Sequence, residues 1–225
     1  MLIQFTNKTM TCAFVGLVAA AFVLTALAGQ PPLSPNTGTS KTSRYDNDPN
    51  GVKVFVLAGQ SNMVGHGKAE EGTNDVAGAV GSLRYMAVNY PAEYGRLLVD
   101  PDNPAASPWV TRSDVKVWWR YSDLLERRAV VKGNLGLGFT EGRNKTWFGP
   151  EYAFGWVLGD YFTNNPVLII KTAWGGKSLQ VDFRSPSAVA ARGGVVGAYY
   201  MGMIECVRDA LSNLGSEFPE FAGMG

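Results

Sequence analysis

Ser61 lies in the segment whose residue types point most directly to chemistry. Residues 52–58 form an apolar, β-branched run that ends abruptly at Gly-Gln-Ser-Asn, residues 59–62. This pattern predicts a buried parallel strand with a serine at its carboxyl end, where open α/β sheets place catalytic groups. Ser61 is therefore a candidate nucleophile, and its N–H could help to stabilise an oxyanion. The spacing is not the Gly-x-Ser-x-Gly elbow, because residue 63 is methionine, and a serine that only caps a helix is the alternative.

His66 is the one histidine of the chain, and a serine nucleophile normally needs a histidine base. It follows Ser61 on the same local turn, within reach of a bound substrate. A base role would also need a carboxylate to orient the ring, and Asp160, Asp182 and Glu151 are acids that could fold close. The alternatives are a histidine that lines a sugar pocket and one that is simply solvated. One histidine without a cysteine cluster cannot build a typical zinc site, so we predict no metal site.

A glycine-rich loop follows the second strong strand pattern, Val167–Ala173. Gly175 and Gly176 would let the backbone or a substrate approach closely. Trp174 could stack on a sugar ring, and a core aromatic is the alternative. The run Gly-Lys-Ser at residues 176–178 is not a phosphate loop, since position 171 is lysine where that motif requires glycine. We therefore expect a loop that lies beside Ser61.

The elements that would position these residues follow from apolar periodicity and turn residues. Strands are predicted at residues 52–58, 114–120 and 167–173, and residues 129–131 are predicted to pair antiparallel with the second of them. Helices are predicted at residues 62–67, 83–89, 150–162 and 197–214, the third with a broad apolar face. The order strand, helix, strand, helix implies a right-handed parallel crossover. We therefore expect an α/β fold with a mostly parallel sheet.

Residues 1–28 are typical of a secretory signal peptide. Lys8 supplies the positive start, residues 12–27 form an apolar stretch, and residues 26–28 (Ala-Leu-Ala) resemble a cleavage site. An uncleaved membrane anchor is the alternative, but the stretch is shorter than the roughly 20 apolar residues that a spanning helix needs. We therefore expect a secreted or periplasmic protein with no stable membrane insertion after cleavage.

The remainder of the chain is predicted to be a linker and one domain. Residues 29–50 are rich in Pro, Ser, Thr and Asn, which favours a flexible linker, and residues 51–225 form the domain. With 20 Lys and Arg against 19 Asp and Glu, the charge gives no electrostatic basis for binding nucleic acid. Cys206 lies in an apolar-periodic stretch and is expected to be a small buried hydrophobe, with a reactive thiol as the alternative.

Three short segments occur in one order along the chain. They are Gly-Gln-Ser-Asn-Met-Val-Gly at residues 59–65, Gly-Pro-Glu at residues 149–151, and Lys-Thr-Ala-Trp-Gly-Gly-Lys-Ser-Leu at residues 171–179. Together, over residues 52 to about 185, they resemble the sialate O-acetylesterase and acetylxylan-esterase type of SGNH hydrolase. The resemblance implies a three-layer α/β/α sandwich and a cofactor-independent deacetylation of carbohydrate esters. Residues 51–225 would then be an SGNH-hydrolase-like esterase domain.

The resemblance also implies roles for individual residues. Ser61 would be the nucleophile, and Gly149 lies in the block expected to line the oxyanion site. The residues expected to contact the oxyanion or the acetylated carbohydrate substrate are Gln60, Asn62, His66, Gly149, Glu151, Trp174, Gly175 and Gly176.

The chain departs from this family in its last part. The family carries a later strand that ends in a Gln-Gly block and an Asp-x-x-His block with the catalytic histidine, and neither occurs before residue 225. The C-terminal strands and helix are therefore expected to be missing, in a truncated sequence or a natural inactive form with little triad-dependent activity. A non-catalytic carbohydrate-binding module, with Trp174, His66 and Trp147 as contacts, is one alternative. A fragment that misfolds through an exposed apolar sheet edge is the other.

Overall fold

The computed structural model describes residues 2–6, 9–13, 51–70, 81–121, 129–141 and 145–224, the first two segments by their backbone alone. The strands of these residues are β1 (Leu2–Thr6), β2 (Thr9–Ala13), β3 (Lys53–Gly59), β4 (Gly67–Lys68), β5 (Arg112–Arg120), β6 (Val130–Leu135), β7 (Trp147–Phe148) and β8 (Val167–Ala173). The helices are α1 (Ser61–Val64), α2 (Leu83–Asn89), α3 (Pro91–Tyr94), α4 (Pro150–Tyr161), α5 (Pro186–Arg192), α6 (Ala198–Ser212) and α7 (Leu214–Glu217).

Of the predicted signal peptide and linker, the structure describes only β1 and β2, which pair antiparallel. The other residues assigned to these two segments lie outside the described ranges. Within those ranges, every helix is too short or too polar to cross a membrane.

β8 lies at the centre of a four-stranded sheet with the order β3–β8–β5–β6. β3 and β5 run parallel to β8, and β6 runs antiparallel to β5. All the residues of β8 are buried, which explains why its sequence is a nearly continuous apolar run. The predicted α/β fold with a mostly parallel sheet is thus present, and the bounds of β8 match the prediction. β3 takes an edge position, with a hydrogen-bonded neighbour on one side only among the described strands.

The side chains of β8 alternate between two cores, one on each face of the sheet. Val167 and Ile169 belong to the first core, and Leu168 and Ile170 belong to the second. α4 and α6 supply buried side chains to opposite cores: Tyr152 and Leu158 to the first, and Tyr199, Cys206, Val207 and Ala210 to the second. Both faces of the sheet are therefore covered, and its carboxyl-terminal edge is left for the loops that carry the candidate residues.

α4 approaches the sheet through a glycine. A Cβ at Gly155 would lie 2.5 Å from Leu135 Cδ2, so a larger residue would force either the buried Leu135 side chain or the helix to shift. On the outer side of the helix, Val157 and Tyr161 are 65% and 73% exposed. The predicted broad apolar face is therefore wrong at these two positions, because the helix meets the sheet along a narrower stripe.

The sequence patterns predicted β6 too short and did not predict α5. The antiparallel partner of β5 continues to Leu135, beyond the predicted residues 129–131. α5 starts with a capping serine, since Ser185 Oγ accepts a hydrogen bond from Ala188 N at 3.2 Å, and Pro186 follows in the first turn. Its sequence shows no helical apolar period, and accordingly it has no fully buried residue.

Cys206 is completely buried in the second core, as predicted. Burial raises the pKa of its thiol to about 12, so almost no thiolate forms near neutral pH. We expect a Cys12→Ser variant, in which Cys206 is the remaining cysteine, to resist Ellman's reagent in the native state and to react fully in guanidinium. Complete labelling of the native variant within minutes would contradict this burial.

Candidate active site

Ser61 lies where β3 ends and α1 begins. Gly59 is the last residue of β3, Gln60 caps α1, and Ser61 is the first helical residue. The turn requires glycine before it, because a Cβ at Gly59 would lie 2.7 Å from Met63 Cβ. α1 is a single turn and ends earlier than the predicted residues 62–67. The half-buried Ser61 is thus presented at the carboxyl end of the sheet, between the exposed Gln60 and Asn62.

The side chain of Gln60 satisfies both hydrogen-bond donors of Ser61. Gln60 Oε1 accepts from Ser61 N at 2.9 Å and from Ser61 Oγ at 2.7 Å. An amide oxygen is a good acceptor but a poor base, so this contact orients the hydroxyl without activating it. It also occupies the N–H predicted to stabilise an oxyanion. A bound substrate would have to displace the Gln60 side chain before it could use that donor.

The loop after α1 touches the loop before α4, backbone to backbone. Gly65 ends α1 with a φ of 90°, and its N–H donates to Ser61 O at 3.0 Å. A Cβ at Gly65 would lie 2.3 Å from the Cα of Gly149. The structure therefore brings Gly149 beside the turn that carries Ser61. The N–H of Gly149 is already used, because it donates to Glu151 Oε1 at 3.0 Å.

A fully buried ion pair between Lys171 and Glu151 joins these loops to β8. Lys171 Nζ donates to Glu151 Oε2 at 2.5 Å, to Val64 O at 2.7 Å and to Phe139 O at 2.5 Å. The ammonium group has three donors, so all of them are satisfied. Neither side chain is accessible to solvent. One lysine of β8 therefore ties together α1, the loop at residue 139 and the first turn of α4.

Burial acts against the charged forms of both partners. It raises the pKa of Glu151 and lowers the pKa of Lys171, while their mutual attraction opposes both changes. This geometry contradicts the prediction that Glu151 contacts the substrate. Its carboxylate is inaccessible, and its two oxygens accept hydrogen bonds from Lys171 and from the N–H of Gly149. Lys171 was not among the predicted site residues. The signal that could have found it is a charged residue inside an otherwise apolar strand.

His66 is exposed, and its ring lies 6.0 Å from that of Trp147. The acids proposed to orient it have other partners: Glu151 binds Lys171, Asp160 binds Arg96 and Arg112, and Asp182 accepts from Ser178 N. Among the residues that the structure describes, none makes a hydrogen bond to His66. The structure therefore offers no oriented histidine base for Ser61 in this part of the chain.

Trp174 is 4% exposed, and its ring packs against Tyr199 at 5.4 Å and Phe183 at 6.1 Å. This geometry favours the core-aromatic alternative over stacking on a sugar. Gly175 and Gly176 are exposed at the end of β8, and Gly176 has a φ of 70°. Trp174 N donates to Gly59 O at 3.2 Å, so this loop lies directly beside the strand that carries Ser61.

Two cavities open near this edge of the sheet. The larger, about 910 Å³, is lined by Ala58, Gly59, Gln60, Lys177, Leu179, Gln180, Phe183, Arg184, Ser185, Ala188, Arg192, Tyr200 and Met203. The smaller, about 390 Å³, is lined by Val64, Trp119, Tyr121, Glu141, Ala173, Trp174, Gly175 and Lys177. Lys177 borders both of them. In the described ranges, no three metal-binding side chains of the His, Cys, Asp and Glu types lie together.

Comparison with known proteins gives one family. The family model described as "Carbohydrate esterase, sialic acid-specific acetylesterase" matches residues 51–224. No curated protein matches significantly. The X-ray structure of an Arabidopsis thaliana protein is similar at 14% sequence identity, over 70% of this chain and 50% of that chain, with a TM-score of 0.33. The chain therefore spans about half the length of that plant protein.

Proposed function

The chain belongs to the carbohydrate esterase family of sialic acid-specific acetylesterases, and from this we propose that it is a serine ester hydrolase that removes acetyl groups from sugars. The position of Ser61 carries the proposal. The support for it is a serine at the carboxyl end of a parallel strand and at the start of a helix, beside Gly149 and near the glycine loop at residues 175–176, since open α/β sheets carry their catalytic groups at this edge. The substrate class we propose is an acetylated sialic acid or an acetylated polysaccharide.

In the proposed reaction Ser61 Oγ attacks the ester carbonyl and forms a tetrahedral intermediate. We assign the Ser61 N–H as an oxyanion donor, made available when the exposed Gln60 side chain rotates away. The exposed amide of Asn62 is the second group that we place against the substrate. Collapse of the intermediate releases the sugar hydroxyl and leaves an acetyl group on Ser61, and water then releases acetate.

Ser61 must pass its proton to a base when it attacks the ester, and we propose that this proton transfer limits the turnover rate of the chain. His66 is its one histidine, and the described residues provide no carboxylate to orient it. A positioned general base typically contributes about 10²–10⁴-fold to such a step. Turnover should therefore be slow by roughly that factor, but still dependent on Ser61.

We expect the chain to hydrolyse p-nitrophenyl acetate slowly and a Ser61→Ala variant to lose this rate. Added imidazole should raise the rate of the wild-type chain beyond its background effect on the variant, because it supplies the missing base. With imidazole present as the external base, a fluorophosphonate probe should label Ser61 slowly, as read by mass spectrometry of the peptide. The matched control is Ser212→Ala, which removes an exposed hydroxyl at the end of α6 and should change neither result.

Equal rates for the wild-type chain and Ser61→Ala, with no probe on Ser61, would overturn the esterase proposal. Fast, Ser61-dependent turnover without imidazole would instead overturn the proposed base deficiency.

A non-catalytic carbohydrate-binding module is the second candidate. It is favoured by the 910 Å³ cavity, which lies beside Ser61 and does not need an activated hydroxyl to bind a sugar. This candidate predicts glycan binding that Ser61→Ala leaves unchanged, together with no Ser61-dependent hydrolysis.

Two further properties belong to the proposal. The SGNH-type, three-layer arrangement is supported by α4 and α6, which pack on opposite faces of the sheet. Export is supported by the sequence pattern of residues 1–28.

A further inference from the structure

The 910 Å³ cavity beside Gln60 has an unusual balance of charge. Its walls come from the end of β3, the loop at residues 177–185, α5 and the start of α6. Lys177, Arg184 and Arg192 line it, and its lining residues include no Asp or Glu. Its size is within the roughly 300–1,000 Å³ of small-molecule sites. A cavity with three cations and no lining acid favours an anionic occupant.

Arg184 is held in place by backbone groups. Its Nε donates to Gln180 O at 2.7 Å, and Nη1 lies 3.5 Å from Gly193 O. Gly194 leaves the necessary space, since a Cβ there would lie 1.9 Å from Arg184 Nη1. The guanidinium is thus oriented without a carboxylate partner among the described residues, which leaves its charge available to a ligand.

Four other arginines form ion pairs with acidic side chains, unlike the arginines that line this cavity. Arg84 pairs with Glu70, Arg96 and Arg112 pair with Asp160, and Arg120 pairs with Asp209. Arg184 and Arg192 make no such ion pair within the described part of the chain, and Arg208, which lies outside the cavity, makes none there either. Two arginines at one cavity therefore keep an uncompensated charge, which a bidentate anion such as a carboxylate would satisfy.

Apolar side chains line the same cavity. Phe183, Tyr200, Met203 and the 83% exposed Leu179 offer a surface against which the C–H face of a sugar ring can pack. Lys177 Nζ lies 4.4 Å from the ring centroid of Tyr199, at the rim shared with the smaller cavity. A ring-shaped ligand with one negative group fits this combination better than a bare inorganic ion does.

We propose that this cavity is a binding subsite for the carboxylate of an acidic sugar, with Arg184 and Arg192 as its main ligands and Lys177 at its rim. The proposal rests on the proposed action on sugar esters. It adds that the subsite selects acidic over neutral sugars beside Ser61.

The test compares methyl β-glucuronide with methyl β-glucoside, which differ in a carboxylate against a hydroxymethyl group. We expect the full chain, titrated by calorimetry, to bind the glucuronide about tenfold or more tightly, with a preference that weakens at high salt. Arg192→Gln and Lys177→Gln should each reduce the preference. Arg208→Gln, which neutralises an exposed arginine of α6 outside the cavity, should leave it intact.

Equal affinities for the two glycosides, or an unchanged preference in both cavity variants with unchanged melting temperatures, would overturn the subsite. Displacement of the glucuronide by an equal concentration of inorganic phosphate would show a general anion site and would also overturn it. Binding does not need Ser61, so the same titration of Ser61→Ala separates the two proposals. If the preference for the glucuronide is retained but hydrolysis does not depend on Ser61, only the esterase proposal is refuted. If hydrolysis depends on Ser61 but the preference is absent, only the subsite proposal is refuted.

Discussion

Replacing Lys171 with methionine should lower the free energy of unfolding by roughly 3–5 kcal/mol, the usual cost of removing one partner from a buried ion pair. The methionine fills most of the volume but leaves Glu151 buried without its counter-charge, and it leaves Val64 O and Phe139 O without a donor. Denaturation by urea, followed by tryptophan fluorescence, measures the change. A loss below about 1 kcal/mol would contradict the conclusion that Lys171 holds α1, the loop at residue 139 and the first turn of α4 together.

The double variant Lys171→Met, Glu151→Gln is the control. It removes the uncompensated charge but keeps an acceptor for Gly149 N, so it should recover part of the loss. In the single variant the attraction of Lys171 is gone, so burial holds the pKa of Glu151 above its ordinary value in the unfolded chain. The folded state then binds more protons than the unfolded chain, and its stability is lost as the pH rises through the pKa of folded Glu151. The gap between single and double variants should therefore narrow as the pH falls toward that lower value.

Gly65→Ala should lower the free energy of unfolding by roughly 2–5 kcal/mol and abolish fluorophosphonate labelling of Ser61. The added Cβ would lie 2.3 Å from Gly149 Cα, and alanine is strained at a φ of 90°. Because the atoms that this Cβ would meet all belong to the backbone of residues 148 and 149, no side chain can rotate to relieve the contact. The loop that follows Ser61 would have to separate from the loop at Gly149.

Gly81→Ala is the matched control for this effect. Gly81 has a similar φ of 105°, but a Cβ there would meet nothing within 4 Å. Its cost should be the conformational strain alone, roughly 1–2 kcal/mol, with labelling of Ser61 intact. Similar losses for the two variants would mean that the contact between Gly65 and Gly149 contributes little.

The main elements could be predicted because each of them carries one clear local signal, such as a buried apolar run or a capping residue. β8 is buried on both faces, so its sequence begins with a run of four apolar residues and its bounds are sharp. α2 matched the predicted residues 83–89, and Ser82 caps it by accepting from Tyr85 N. α5 could not be found in this way, because a partly exposed helix of small residues has no apolar period to detect.

The candidate site was less predictable, because its contacts join residues far apart in sequence. Lys171 and Glu151 are each visible as charged residues near apolar segments, but nothing in their separation says that they pair. The contact of Gly65 with Gly149 depends on how α1 and α4 pack, which neither local sequence contains. Trp174 shows the same limit, since an aromatic residue at the end of a strand suits a sugar site and a core equally well.

The contacts of Lys171 have a consequence for how the protein opens. Its ammonium holds carbonyl oxygens of two segments and the carboxylate of a third, so none of these can move outward without breaking a bond to the same atom. Amide hydrogens of α1, of the residues around Phe139 and of the first turn of α4 should therefore exchange with solvent deuterium at one shared rate, as a single cooperative unit. The turn that carries Ser61 would then be as long-lived as the interior strand that anchors it.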